Sequence, residues 1–258
     1  MNYKNLYSFV AALLLVAPLH AKDQPAVQPP APAVALPPQA PDVAAPKMDP
    51  KTGAPQAGFM ASHEKFVAIA KEGKAGVVFL GDSITAGWNA KKDIWDKAFG
   101  KYQPANFGIG GDRTQHVLWR ITNGELDGIK PKAVVIMIGT NNSGSDPAEG
   151  IAKGITKIVE TVRSKQPQAK ILLLAVFPRG NKPGGELGAQ NAKLKEVNAI
   201  IAKLDDGKHV FFLDIGDKFV QGGGPINKEI MPDFLHLSPR GYQIWSDAIS
   251  PKLAKLME

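Results

Sequence analysis

Four short stretches of this 258-residue chain carry side chains able to do acyl chemistry, and three of them directly follow an apolar run. Gly81-Asp82-Ser83 offers a hydroxyl behind a glycine, which permits a sharp turn that lifts the serine clear of the chain. Gly108-Ile-Gly-Gly-Asp112 offers exposed backbone N–H groups, suited to a phosphate, to an oxyanion, or to an ordinary glycine turn. It lacks the Lys-Ser/Thr of a P-loop and the spacing G-x-G-x-x-G. Gly139-Thr-Asn-Asn142 presents Asn141, whose amide N–H can join an oxyanion hole or simply cap a turn. Asp233-Phe-Leu-His236 pairs a base with a carboxylate three residues earlier, able to fold back onto the imidazole and orient it. His20, His63, His116 and His209 have no comparable setting, and no further acidic or histidine ligands converge as zinc would require, so no metal is expected. Each stretch also has a plain structural role, Ser83 as a helix N-cap among them. Four such roles falling at strand ends and in one late loop would be a coincidence.

The elements that must position these groups alternate along the chain. Residues 76–80, 105–107, 133–138, 171–177 and 210–213 are short apolar runs rich in β-formers, reading as five strands. Between them lie helical periodicities. A helix opens near Ser62 with Phe66, Val67 and Ile69. Asp146-Pro-Ala-Glu149 reads as a capping box ahead of Ile151, Ile155, Ile158, Val159 and Val162. Leu194, Val197, Ile201 and Leu204 make the next stripe. Ser238-Pro239 opens the last helix, with Tyr242, Trp245 and Ile249 inward and Pro251 ending or kinking it. Strands without polar alternation, separated by amphipathic helices, predict an α/β fold: a doubly wound parallel sheet of about five strands in three layers, α/β/α. In such folds ligands bind at the carboxyl ends of the strands, where the four stretches lie.

These residues resemble a known family. Gly81-Asp82-Ser83, Gly111, Gly139-Thr140-Asn141 and Asp233–His236 match, in order, the four blocks of the SGNH (GDSL-type) hydrolases. Asn106-Phe-Gly-Ile-Gly-Gly-Asp112, His116-Val-Leu-Trp-Arg120, Asn123-Gly-Glu-Leu126, Ile129-Lys-Pro-Lys132 and Asp233-Phe-Leu-His-Leu237 resemble the catalytic subunits of the intracellular platelet-activating-factor acetylhydrolases and their bacterial relatives. The likeness runs from about residue 74 to the C-terminus. It implies a flavodoxin-like fold without cofactor or metal, Ser83 as nucleophile, and His236 as base with Asp233 as its orienter. It further implies an oxyanion hole from the Ser83 and Gly111 backbone N–H groups and the Asn141 side chain. Ile84, Thr140 and Leu235 sit beside catalytic positions, and none is Gly or Ala, so they are expected to wall a small acyl pocket. An alpha/beta-hydrolase is disfavoured, because Gly81-Asp82-Ser83-Ile84-Thr85 lacks the last glycine of G-x-S-x-G.

Composition bounds the setting. The net charge of +7 comes mostly from lysines scattered on helical faces, with only five arginines, so nucleic acid is not an expected partner. The absence of cysteine excludes disulfides, thiol nucleophiles, thiolate metal sites and a lipoprotein anchor. Lys4 followed by the almost wholly apolar residues 6–19 and Leu19-His20-Ala21 has the form of a secretory signal peptide over 1–21, too short to span a bilayer. Residues 22–58 hold ten of the 21 prolines and read as an extended, disordered spacer before a hydrolase domain over 59–258. The expectation is an exported serine esterase, periplasmic or secreted, acting on short acyl esters of small molecules or glycans and above all on O-acetyl groups, with no stable membrane insertion after cleavage. A homodimer is compatible with the sequence. Two rivals are a lipid acetylhydrolase or lysophospholipase and a non-catalytic carbohydrate- or phosphate-binding module. A binder has no need of a base aimed at a serine, and hydrolysis of a chromogenic acetyl ester separates it from an enzyme.

Overall fold

The computed structural model describes residues 36, 38–182, 184–220, 222 and 224–258. The signal-peptide reading of 1–21 and the first part of the spacer lie outside the described residues.

Five strands form one sheet: β1 (Val77–Gly81), β2 (Pro104–Gly108), β3 (Ala133–Met137), β4 (Lys170–Leu174) and β5 (Val210–Leu213). Every neighbouring pair is parallel and the spatial order is β2-β1-β3-β4-β5. That is the doubly wound order whose switch point falls between β1 and β3. Among the described residues seven α-helices accompany the strands: α1 (Ala57–Glu72), α2 (Ser83–Ala86), α3 (Lys92–Phe99), α4 (Thr114–Thr122), α5 (Ala148–Lys165), α6 (Ala189–Ile201) and α7 (Pro239–Leu256).

Successive strand side chains point to opposite faces, and the core divides accordingly. Val78, Leu80, Val134, Ile136, Ile171 and Leu173 pack with residues of α1, α4, α5 and α6. Val77, Phe79, Ala133, Val135, Leu172 and Leu174 pack with residues of α3 and α7. Two buried faces explain why the strands read as continuous apolar runs, and they make the fold the expected three-layer α/β/α sandwich.

Local expectations differ from the structure in four places. Helix α1 begins at Ala57 rather than near Ser62, and the Ser62 hydroxyl donates back to Gly58 C=O at 2.9 Å inside the helix. The capping box before α5 does not form. Pro147 takes the N-cap position, and the Asp146 carboxylate is drawn aside by donors from Asn142 Nδ2 and Ser145 Oγ at 3.0 and 3.2 Å. Pro251 does not end α7, which continues to Leu256. Its missing N–H is outweighed by burial of Leu253 and Leu256 in the core beyond it.

The fourth difference concerns the later spacer. Residues 39–56 are not free of the domain but form a strap along its surface. Thr114 Oγ1 donates to Pro41 C=O at 2.7 Å, and Ala45 N–H donates to Gln115 C=O at 3.2 Å. Gln39 Oε1 meets His116 Nε2 at 3.2 Å, and Met48 and Pro55 bridge across a tight turn. Gly154 lets the strap approach, since a Cβ there would stand 2.4 Å from Pro41 O. Proline removes donors, so an extended Pro-rich segment needs few partners, and α4 with its preceding loop supplies them.

Candidate active site

Strand β1 delivers the serine. A side chain at Gly81 would meet Thr85 Oγ1 at 2.1 Å and Met137 O at 2.5 Å, so only glycine fits where the strand turns into α2. Asp82 caps that helix by accepting the Ile84 N–H at 2.9 Å, not Ser83 as the structural alternative had it. Ser83 is thereby left on the first turn with its hydroxyl free to face outward. Its Oγ lies 2.9 Å from His236 Nε2, across 153 residues of sequence.

The late loop delivers the histidine. Asp233 Oδ1 accepts the Leu235 and His236 N–H groups at 3.1 and 2.7 Å, while Oδ2 takes His236 Nδ1 at 2.7 Å. With Nδ1–H donating to the carboxylate, Nε2 is the nitrogen left to accept the serine proton. Burial raises the Asp233 carboxyl, but the bonds from the His236 ring and the two backbone N–H groups prevail, and its pKa lies below the usual carboxylate range. Phe234 holds this turn with a left-handed backbone (φ 66°), a strained conformation for an aromatic residue, compensated by its buried ring. The His236 and Asp233 side chains are 46% and 43% exposed, so the pair is open to solvent.

Two further loops converge beside them. A Cβ at Gly108 would stand 2.2 Å from Ala86 N, so glycine brings the end of β2 against α2. Gly111 follows in a left-handed conformation (φ 71°). Asn141, in a short 3-10 turn after β3, donates one Nδ2–H to Asp112 C=O at 2.8 Å, leaving its second amide proton unassigned. Among the described residues, neither the Gly111 nor the Ser83 N–H donates to a protein acceptor. The geometry thus brings Ser83, Asp233 and His236 into one hydrogen-bonded line and ties the Gly111 loop to Asn141. The three expected wall residues are differently placed. Ile84 and Thr140 are enclosed at 1% exposure, and Leu235 is half-buried.

Several residues around the site carry no functional signal in the sequence alone. Asp112 is fully buried, and burial, opposed by Arg120 and Lys47, pushes its carboxyl up to about 6. Arg120 donates Nε to Asp112 at 2.9 Å, Nη2 to Phe107 C=O at 3.0 Å, and Nη1 to Glu125. Glu125 in turn meets His63 Nδ1 at 3.0 Å. This buried network pins the far end of the glycine loop. Arg179, after β4, donates to Thr140 C=O at 3.1 Å and faces the charges of Asp82 and Asp233. A polar residue in an otherwise apolar helical stretch was the signal for Arg120; Arg179 had none. Among the described residues no group of three or more His, Asp or Glu is gathered for a metal, and no helix is long and apolar enough to cross a membrane.

With this geometry in hand, the likeness to known proteins is specific. Residues 79–244 match the model of the GDSL-like lipase/acylhydrolase family. The chain is 40% identical over 200 residues to platelet-activating factor acetylhydrolase IB subunit alpha2 of Rattus norvegicus, covering 78% of this chain and 85% of that protein. It is 41% identical over 199 residues to the alpha1 subunit of Bos taurus, covering 77% and 84%. In structure it is similar to a GDSL-like lipase from Bacteroides thetaiotaomicron, with TM-score 0.61 and 22% identity, over 76% of this chain and 98% of that one. A carbohydrate acetylesterase from Sinorhizobium meliloti matches with TM-score 0.56 and 23% identity, over 71% and 100%. Both structures share the fold. The extent of the family match and the identity to its curated relatives agree, and the chain belongs to the GDSL-like lipase/acylhydrolase family of SGNH hydrolases.

Proposed function

We propose that this acylhydrolase is a serine esterase that removes acetyl or other short acyl groups through an acyl-enzyme. The observation that carries the reading is the unbroken line from Ser83 Oγ to His236 Nε2 to Asp233 Oδ2, at 2.9 and 2.7 Å. In the first step Ser83 Oγ bonds to the ester carbon while His236 Nε2 takes its proton, and the carbonyl pair moves onto oxygen. That oxyanion is received by the Ser83 and Gly111 N–H groups and the free amide proton of Asn141. Collapse expels the alcohol, which carries away the proton from His236. Water then repeats the sequence, releasing the carboxylic acid and restoring Ser83. Asp233 stays ionised throughout and steadies the imidazolium.

The exposure of the His236–Asp233 pair favours a bulky alcohol part, while Ile84 and Thr140, at 1% exposure, are enclosed within the protein and leave half-buried Leu235 as the expected wall residue able to face an acyl group. Together with the signal-peptide pattern at 1–21, these point to O-acetyl groups on carbohydrate outside the cytoplasm. A second reading, acetyl esters of lipids, is favoured by the names of the relatives at 40% identity. Acetate release from acetylated glycans and from acetylated ether lipids, each with wild type and Ser83→Ala, separates the two. Release from glycans is expected; release from lipids alone turns the assignment to the second reading. Wild-type levels of release by Ser83→Ala would remove the mechanism altogether. On p-nitrophenyl esters, each methylene meeting a closed wall costs about 1–3 kcal/mol, so kcat/KM is expected to fall sharply from acetate to butyrate and to be negligible at octanoate. Equal rates on acetate and octanoate would overturn the short-acyl preference.

A further inference from the structure

The strap of residues 39–56 brings Lys47 to the glycine loop, and its contact there is with one particular peptide. The Lys47 ammonium donates to Gly110 C=O. That carbonyl belongs to the same planar peptide unit as the Gly111 N–H. In a trans peptide, C=O and N–H point in opposite directions, so drawing the oxygen towards the strap turns the N–H away from it. The peptide lies between two glycines, the linkage with least steric resistance to flipping, and Gly111 already occupies the left-handed region. Lys47 also lies close beside the loop: a Cβ on Gly111 would stand 3.0 Å from its Nζ. A second contact adds to the first. Asp112 Oδ1 is buried without a hydrogen-bond donor, and Lys47 Nζ lies 3.6 Å from it, offering the counter-charge that Arg120 gives the other oxygen.

We propose that Lys47 is a positioning residue of the oxyanion hole. It holds the Gly110–Gly111 peptide in the orientation that presents the Gly111 N–H, and it polarises that N–H by bonding the carbonyl of the same unit. A donor on a peptide oxygen strengthens the opposite N–H as a donor, because hydrogen bonds in a chain polarise one another. The cationic charge beside the loop also favours the negative charge that develops in the tetrahedral intermediate. The proposal rests on the esterase reading and deepens it: part of the Pro-rich segment completes the active site. The strap keeps its other anchors, Pro41 to Thr114 and Ala45 to Gln115, without Lys47, so its substitution is a local change.

The test compares wild type with Lys47→Met, Lys47→Gln and Lys47→Arg in the full chain, with Ser83→Ala alongside. The readouts are kcat and KM on p-nitrophenyl acetate, inhibition by methylboronic acid, and the thermal midpoint. Boronic acid adds to the serine as a tetrahedral anion and therefore reports on the oxyanion hole. Loss of an entire oxyanion donor lowers kcat by about 10²–10³, and Lys47 acts on one donor at one remove, so Lys47→Met is expected to lower kcat by roughly ten- to a hundredfold. KM should stay within about threefold, the boronic acid should bind more weakly in proportion to the loss in kcat/KM, and Lys47→Arg should recover most of both. Should Lys47→Met not fold, Lys47→Gln keeps a donor, one atom shorter and without charge, and a several-fold loss is expected. Either neutral variant working within twofold of wild-type kcat overturns the proposal, as does a loss of kcat with unchanged boronic acid inhibition. If Ser83→Ala is inactive while the neutral Lys47 variants are unaffected, the Lys47 role falls and the esterase reading stands. Activity persisting in Ser83→Ala removes both.

Discussion

Asp82, the neighbour of the candidate nucleophile, should give this protein an unusual dependence of stability on pH. Its side chain is fully buried, with Oδ1 capping α2 through the Ile84 N–H and Oδ2 meeting no donor. Burial, aided by the charge of Asp112 and opposed by the Ile84 bond, pushes its carboxyl from 3.8 up to about 7. The folded pKa therefore lies above the unfolded one, and between pH 4 and 7 the folded state holds the extra proton. The stability linked to this group is fully present below pH 4 and is lost as pH rises through 7. At 1.36 kcal/mol per pKa unit, the loss amounts to about 4 kcal/mol by pH 8. Asp82→Asn keeps an acceptor for Ile84 and is neutral at every pH, so it imitates the protonated acid. Relative to wild type it is expected to gain up to about 4 kcal/mol between pH 4 and 8, or roughly 10 °C in Tm for a domain of this size. Asp112, also raised, and His116, lowered to about 3 by burial, add slopes of their own. The His116 slope is common to both proteins and cancels in the difference, and that of Asp112 cancels apart from its coupling to Asp82, which is part of the Asp82 effect itself. Urea melts of wild type and Asp82→Asn at pH 4.5, 6, 7 and 8, with matching m-values, supply the measurement. A difference constant to within about 0.5 kcal/mol over that range would refute the argument.

Further outcomes follow from the site. His236→Ala is expected to lower kcat by on the order of 10³ or more, and Asp233→Asn to do the same, because its amide N–H faces Nδ1 and drives the imidazole proton onto Nε2. Asp233→Ala leaves the ring free to take either tautomer and should lose less; steady-state kinetics showing Asp233→Ala slower than Asp233→Asn would contradict the tautomer argument. Asn141→Ala should lower kcat by about 10²–10³ with little change in KM, and an unchanged kcat would remove Asn141 from the oxyanion hole.

The sheet and the candidate residues were legible in the chain because both are written locally. A strand buried on two faces must be apolar throughout, so Val77–Leu80, Ala133–Met137 and Ile171–Leu174 announce themselves without their partners. Ser83 and the Asp233–His236 pair were visible because a nucleophile after a strand and a carboxylate three residues before its histidine are short-range patterns. What only the tertiary structure decided are contacts between residues far apart along the chain. Lys47 meets Gly110 across 63 residues, and Arg179 meets Thr140 across 39. Propensity and periodicity carry no information on such pairs, so composition made the strap look like a free spacer. The same reason covers Asp82, whose raised pKa depends on the layer closing over it, and Phe234, whose left-handed turn is offset by burial of its ring. Pro251 stays within α7 on similar terms, since burial of Leu253 and Leu256 outweighs a local signal to stop. Local sequence determines which element forms and which side chains it offers; packing between distant elements determines their charge state, their strain and what they touch.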